Sequence, residues 1–255
     1  MATNTTLLAV IFSFLIAFVF SMFGQGGGSV YSPLLILLGY QISLSTSTSL
    51  VLNLITSLSA GYIFYRRKMI DFKTSFIFAP GISIGAFMGG ALSKFFNTTF
   101  LLWLFVFFLA GVGARMIYAY WEKGRAEEKL PSLSAAMYAL IAFFGFAVGF
   151  IAGLLGVGGG IFIVPFMIYV CKYPTKIAAG SSHLIISFSA LAGIIGHATS
   201  HRFDIPLIVA TGIVVLIGGN LGARTSMKFK TKMIRAGLGL IMWAFAAQIL
   251  VMKLL

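Results

Sequence analysis

The run Phe23-Gly24-Gln25-Gly26-Gly27-Gly28-Ser29-Val30-Tyr31-Ser32-Pro33 returns 132 positions later as Leu155-Gly156-Val157-Gly158-Gly159-Gly160-Ile161-Phe162-Ile163-Val164-Pro165. Three consecutive glycines end a helix, because each lacks a Cβ and loses more conformational freedom on ordering than other residues. On both sides of each run the chain is apolar, so the break falls inside a hydrophobic stretch. Irregular backbone at membrane depth persists only where protein or a polar cavity surrounds it. The glycines therefore mark the interior of the molecule.

Outward from the two motifs, apolar segments fall at 7–23, 29–39, 43–65, 72–95 and 98–121, then again at 135–155, 161–171, 176–199, 204–227 and 233–254. Asp71 matches Asp204, and the run Ile84-Gly85…Gly89…Ser93 matches Ile217-Gly218…Gly222…Ser226. Landmarks in register over this distance indicate an internal duplication. The expected organisation is a first repeat at 1–121, a cytoplasmic linker at 122–134 and a second repeat at 135–255, forming one membrane domain. The linker carries Glu122, Glu127 and Glu128, most of the chain's acidic residues.

Composition agrees. Hydrophobic residues make up 60% of the 255, charged residues 9%, and the mean hydropathy is +1.04. A soluble domain carries about a quarter charged residues. The net charge of +13 does not point to nucleic acid, since the basic residues sit in short loops beside apolar spans. Cys171 is the only cysteine and has no intramolecular partner. The first segment lacks the basic start and small-residue cleavage site of a signal peptide, and is expected to be retained.

Lys and Arg set the expected orientation. Placing the clusters Arg66–Lys73, Arg115–Lys129 and Lys228–Arg235 in the cytoplasm puts all of the 18 basic residues inside except Lys94, Arg202 and Lys253. Both termini then lie on the outer side of the cell (inner) membrane, and the repeats have opposite orientation. The first two segments of each half must return to their starting side. Either both cross, or they meet within the membrane as a re-entrant pair. The short second segments, 29–39 and 161–171, favour half-helices, since a span needs about 20 residues. The fold class is thus an all-α polytopic membrane protein of two inverted repeats, each with a Gly-broken short helix pair and three transmembrane helices.

A half-helix N-terminus presents unpaired N–H groups and the positive end of the helix dipole, an anion site that needs no charged side chain. Gly26, Gly27, Gly28 and Ser29 in one half, and Gly158, Gly159 and Gly160 in the other, are the candidates for it. The bland reading is that these glycines only permit close packing. Beside them lie Ser47, Thr48 and Asn53, and Ser181, Ser182 and His183, candidates for substrate contact. Hydroxyls in lipid also bond their own helix or a neighbouring one. His183 is a titratable group placed inside a span, the candidate for proton coupling or a neutral residue bonded between helices. His197 and His201 lie nearer the outer end and read as interfacial. Gly85-xxx-Gly89, Gly218-xxx-Gly222 and the series Gly145, Gly149, Gly153 have the spacing of close helix packing. Pro80 and Pro206 are expected to kink or start their helices. No carboxylate lies mid-span, so an acidic proton relay is absent.

The paired G-x-G-G-G-x-x-x-x-P motifs, with the Ser/Thr-rich stretches at Thr46–Ser49 and Gly180–Ser182, resemble the TauE/SafE sulfite exporter family over essentially the whole chain. That resemblance implies a transporter of sulfite, organosulfonates or related sulfur-containing anions, mostly outward. The first half has Gln25 and Ser29 where the second has Val157 and Ile161, so the two breaks are expected to contribute unequally. The expected partners are a small anionic substrate and the lipid bilayer, with no cofactor, metal or nucleic acid. Two other readings share these residues. One is an anion channel of the same fold. The other is an intramembrane serine hydrolase, disfavoured because His183 adjoins Ser181 and Ser182 on one helix, where neighbours do not face each other.

Overall fold

A computed structural model describes residues 2–95, 130–131, 133–155, 158–198 and 203–254, with scattered positions between 103 and 118. The fifth segment of the first half is described only at those positions. Most of the linker, Gly156, Val157 and His201 lie outside the described residues.

Every regular element described is helical. α1 (Ala2–Met22) ends at the first glycine run, and α2 (Gly28–Leu37) starts from it. α3 (Ile42–Arg66) and α4 (Phe72–Leu92) follow. The series resumes with α5 (Ala135–Leu155), α6 (Gly160–Tyr169), α7 (Thr175–Ala198), α8 (Ile205–Ser226) and α9 (Thr231–Leu254). Gly27 and Gly159 precede the short helices in the left-handed region, at φ 100° and 72°. A side chain is strained there, which is why glycine closes both turns. Asp71 and Asp204 cap α4 and α8, each accepting a backbone N–H from the first turn. Pro80 lies inside α4 and Pro206 in the first turn of α8.

Among the described residues, six helices are long and apolar enough to cross a membrane: α1, α3, α4, α5, α7 and α8. α2 and α6, at 10 residues each, are about 15 Å long and reach only halfway. The chain is a multi-pass membrane protein, and its surface is arranged for lipid. Leu8, Ile11, Phe12 and Leu15 of α1 and Val209, Ile213 and Leu216 of α8 are exposed. Ser45, Ser47, Thr48, Ser49, Asn53, Thr56 and Ser57 of α3 are buried.

At the centre α3 and α7 run antiparallel. A Cβ on Gly61 would touch the Cβ of His183 at 3.6 Å, and one on Gly193 would lie 3.4 Å from the Leu50 methyls. α4 packs on α7 and α8 on α3; α5 then packs on α4 and α1 on α8. The short helices α2 and α6 lie against α3 and α7. α4, α5 and α7 share one direction, since Gly81 meets Ala142 and Gly89 meets Phe150, while Asp71 bonds Ser181. α1 and α8 run side by side, with Gly218 at Phe14 and Gly222 at Phe18. α9 packs near residues 110–117, where Trp243 Nε1 donates to Ala110 O at 3.1 Å.

The α4–α5 and α1–α8 seams are built from the spaced glycines. A Cβ at Gly85 would lie 2.2 Å from Phe146 O, and one at Gly222 would lie 2.0 Å from Phe18 O. On the facing helix, Gly149 and Gly153 sit as closely on Ile82 O and Ala86 O, at 2.3 Å each. Lipid offers no hydrophobic drive to hold two helices together, so close backbone approach has to do it. Gly85→Ala and Gly222→Ala must each push two helices apart. We expect each to lower the thermal midpoint in detergent by about 4–8 °C, the shift for roughly 2 kcal/mol of overpacking. An unchanged midpoint would show that the seams are loose.

Candidate functional site

The two glycine breaks meet. Gly160 abuts the backbone of Gln25, with a Cβ on it falling 2.6 Å from Gln25 O. Asn53, fully buried on α3, lies between the breaks. Its Oδ1 accepts the Gly28 N–H at 3.1 Å. A Cβ on Gly26 would lie 2.3 Å from that oxygen, and one on Gly158 would lie 1.8 Å from Asn53 Nδ2. Both positions therefore need glycine for lack of space as well as for their φ of 73° and 77°. One amide side chain thus caps α2 with its oxygen and turns its NH2 toward the other break.

Helix ends leave backbone groups without partners, and in lipid each must be met by protein. The carbonyls ending α1 are met by side chains from the second half. His183 Nε2 lies 3.1 Å from Ser21 O and, facing a carbonyl, is the protonated nitrogen. Ser226 donates to Met22 O at 2.7 Å, and Ser182 Oγ, with one proton to give, lies within bonding reach of both Gly24 O and Ala179 O. His197 does the same for α5, with Nε2 3.0 Å from Gly153 O. It is buried rather than interfacial, because an orphan carbonyl at the end of α5 draws it in. On the α2 side, Ser49 donates to Gly28 O at 2.8 Å, and Thr56 pairs with the Tyr31 hydroxyl at 2.8 Å.

The structure thus brings together Gly26, Gly27, Gly28, Asn53, Gly158, Gly159 and Gly160. Ser29 is buried in the first turn of α2, and Ser47 is buried on α3. Ser182 and His183 adjoin the cluster but are bonded to the end of α1. Ser181 turns away to accept Asp71 N–H at 2.8 Å. The Thr48 hydroxyl is buried with no partner among the described residues.

Ser57 joins the site without a signal drawn from the sequence, and Gln25, noted there only as a difference between the breaks, joins it too. Gln25 is buried with both amide atoms unpartnered among the described residues, and Ser57 Oγ is likewise unpartnered there. A Cβ on Gly26 would lie 2.6 Å from that hydroxyl. Ser49, Asn53 and Ser57 are spaced i, i+4, i+8, so helical periodicity could have found Ser57. Gln25 carried no signal beyond its place in the motif. Ser57 also lines a cleft of about 450 Å³ between α3 and α7, with Gly61, Tyr62, Tyr65, Phe72 and Ser187.

The buried unpartnered atoms at the junction are Asn53 Nδ2, Ser57 Oγ and the Gln25 amide. All are neutral, and every described Lys and Arg side chain is exposed or only partly buried. Among the described residues no group of three or more His, Cys, Asp or Glu is placed to hold a metal.

Membrane-capable helices around a buried polar junction of two broken helices define a membrane transporter of a small molecule. A sequence model of the family described as Sulfite exporter TauE/SafE matches residues 9–249, and the chain belongs to that family. It is similar to the probable membrane transporter protein YunE of Bacillus subtilis, 29% identical with 89% of this chain and 90% of the relative covered. A probable membrane transporter protein of Methanocaldococcus jannaschii is 27% identical, with 92% and 91% covered. YfcA of Escherichia coli K12, also named a probable membrane transporter protein, is 26% identical, with 86% and 78% covered. No solved structure matches the chain.

His183→Gln keeps an N–H able to reach Ser21 O, and we expect its thermal midpoint to stay close to wild type. His183→Leu leaves that carbonyl only the long bond from Gly24 N–H at 3.4 Å and should cost about 1–3 kcal/mol, read as a clear drop in the same melt. Equal midpoints for the two variants would mean that the bond to Ser21 does not hold the end of α1.

Proposed function

We propose that the protein carries small, singly charged sulfur oxyanions, such as hydrogensulfite or organosulfonates, outward across the cell membrane. The anion is held between the N-termini of α2 and α6. The carrying observation is the junction at Asn53, where two glycine-broken helices converge on buried, unpartnered donors. Each helix N-terminus presents about half a positive charge, so the two together offer about one unit. That matches a monoanion without a buried Lys or Arg. A dianion would leave close to one negative charge uncompensated at low dielectric, where charge is costly to bury.

Alternating access between inverted repeats is the motion we assign to it. Its support is that α1, α3 and α8 run one way while α4, α5 and α7 run the other, so each element opposes its sequence counterpart. The repeats at 1–121 and 135–255 would then move as two bodies about the α3–α7 axis. The basic cluster Arg66–Lys68 marks the cytoplasmic side, leaving both termini outside. An inside-negative potential would favour anion efflux by about 2.3 kcal/mol per charge per 100 mV, so no acidic proton relay is required.

Two measurements test this reading. In a thermal-shift series on purified protein, methanesulfonate should raise the midpoint and equimolar sulfate should not. Asn53→Asp keeps the acceptor for Gly28 N–H but replaces the donor with an acidic group. We expect it to fold and to lose the methanesulfonate shift. Stabilisation by sulfate alone, or a full response in Asn53→Asp, would remove the neutral monoanion site. Saturable flux in liposomes would mark a carrier, and non-saturating flux a channel of the same fold.

A further inference from the structure

Three polar positions outside the Asn53 junction recur at a spacing of 133: Tyr40 and Tyr173, Thr48 and Ser181, Asp71 and Asp204. In the set at the Arg66–Lys68 end they form one bonded cluster. Tyr173 donates its hydroxyl to Asp71 Oδ2, and Thr74 lies 2.6 Å from the phenol oxygen. Asp71 N–H donates to Ser181 Oγ at 2.8 Å. Burial, and next the bond to Asp71, push the Tyr173 phenol above its usual range, so it remains a donor. The cluster ties the start of α4, from the first half, to the α6–α7 turn and α7, from the second.

The opposite end carries counterpart groups with similar backbone angles at the cap. Asp204 caps α8 at φ −88°, ψ 92°, against φ −89°, ψ 99° for Asp71. Gly39 and Lys172, the residues before the two tyrosines, both have positive φ, at 89° and 62°. Tyr40 N–H bonds Leu35 O at 3.0 Å, and Tyr173 N–H bonds Met167 O at 2.9 Å. Yet among the described residues no bond joins Tyr40 to Asp204, and the Thr48 hydroxyl is buried without a partner. Among the described residues Asp204 Oδ1 accepts its cap bond from Leu207 N and no other. Both ends carry a capped helix and a neighbouring tyrosine, and what differs is that only one set is bonded across the halves.

We propose that Tyr173–Asp71–Ser181 and Tyr40–Asp204–Thr48 are reciprocal latches, one closing each end of the transport path, and that only the first is engaged here. This rests on the alternating-access reading above. The unmade bond at Thr48 is a standing penalty that closure of its own end removes. Making one set while breaking the other keeps the two states close in energy, as a reversible cycle requires. Thr74 has Leu207 as its counterpart, so the second latch has one bond fewer and is the weaker of the two. The Thr48 hydroxyl, in this account, serves the latch rather than the anion.

The test uses full-length protein in nanodiscs, in a Cys171→Ala background, with Leu44→Cys or Ile177→Cys as reporter. Leu44 and Ile177 are half-buried counterparts, one beside each latch. Tyr173→Phe should raise maleimide labelling at position 177 about tenfold, the factor for one hydrogen bond to a charged group, and lower it at position 44. Tyr40→Phe should do the reverse. Labelling that rises at both positions in both variants, or moves at neither, would overturn the latches. Methanesulfonate flux in liposomes separates the two readings. Flux with unmoved labelling removes the latches and keeps the transporter; reciprocal labelling without flux keeps the latches and removes the proposed substrate.

Discussion

A backbone amide that leaves its helix inside a bilayer has no water to turn to, and the rest of this molecule is arranged around that fact. Each glycine run opens a helix in mid-membrane, stranding carbonyls on one side and N–H groups on the other. The carbonyls ending α1 are met by Ser182, His183 and Ser226. The carbonyl of Gly153 near the end of α5 is met by His197. On the other side Gly28 N–H is met by Asn53. Ser49 and Asn53 of α3, and Ser182, His183 and His197 of α7, are thus explained by the glycines, since they bond to backbone groups at the breaks and helix ends.

From this follows the inside-out distribution of polarity. Serine, threonine, asparagine and histidine collect on the central pair, while leucine, isoleucine and phenylalanine cover the outer helices. With lipid on the outside, burying apolar area gives little drive to associate, and the outer helices are held instead by backbone contact at Gly81, Gly85 and Gly89 and at Gly218 and Gly222. These seams are close-packed along their length. They suit elements that move as units.

The two breaks are alike in backbone and unlike in chemistry. Asn53 caps α2, but Ile186, whose Cδ1 would lie 2.5 Å from a Cβ on Gly160, has no acceptor to offer α6. Gln25 in the first break is buried and unpartnered. One amide side chain serves both breaks. An anion bound here would be read mainly by first-half residues. Neutral donors and helix dipoles bind a small anion without the deep well a buried arginine would create, which suits a molecule that must also release it.

Amino-acid order alone determined that this chain lies in a membrane, the bounds of most described helices to within about two residues, and that the glycine runs lie at its centre. Hydropathy, helix breaking and repeat spacing are local properties, and the described helices fall where they predict. The candidate site was legible in part. Asn53 and both glycine runs stood out, because polar residues and triple glycines are conspicuous in an apolar background. The partnerships were not legible. Nothing in the sequence says that Asn53 touches Gly158, that Gln25 faces Gly160, or that Ser181 leaves the site for Asp71. Each of those contacts joins residues about a hundred or more positions apart. Only the packing of α3 against α7 decides them, since a side chain's hydrogen-bond partner is set by which helices come within 3 Å, a distance that periodicity does not carry.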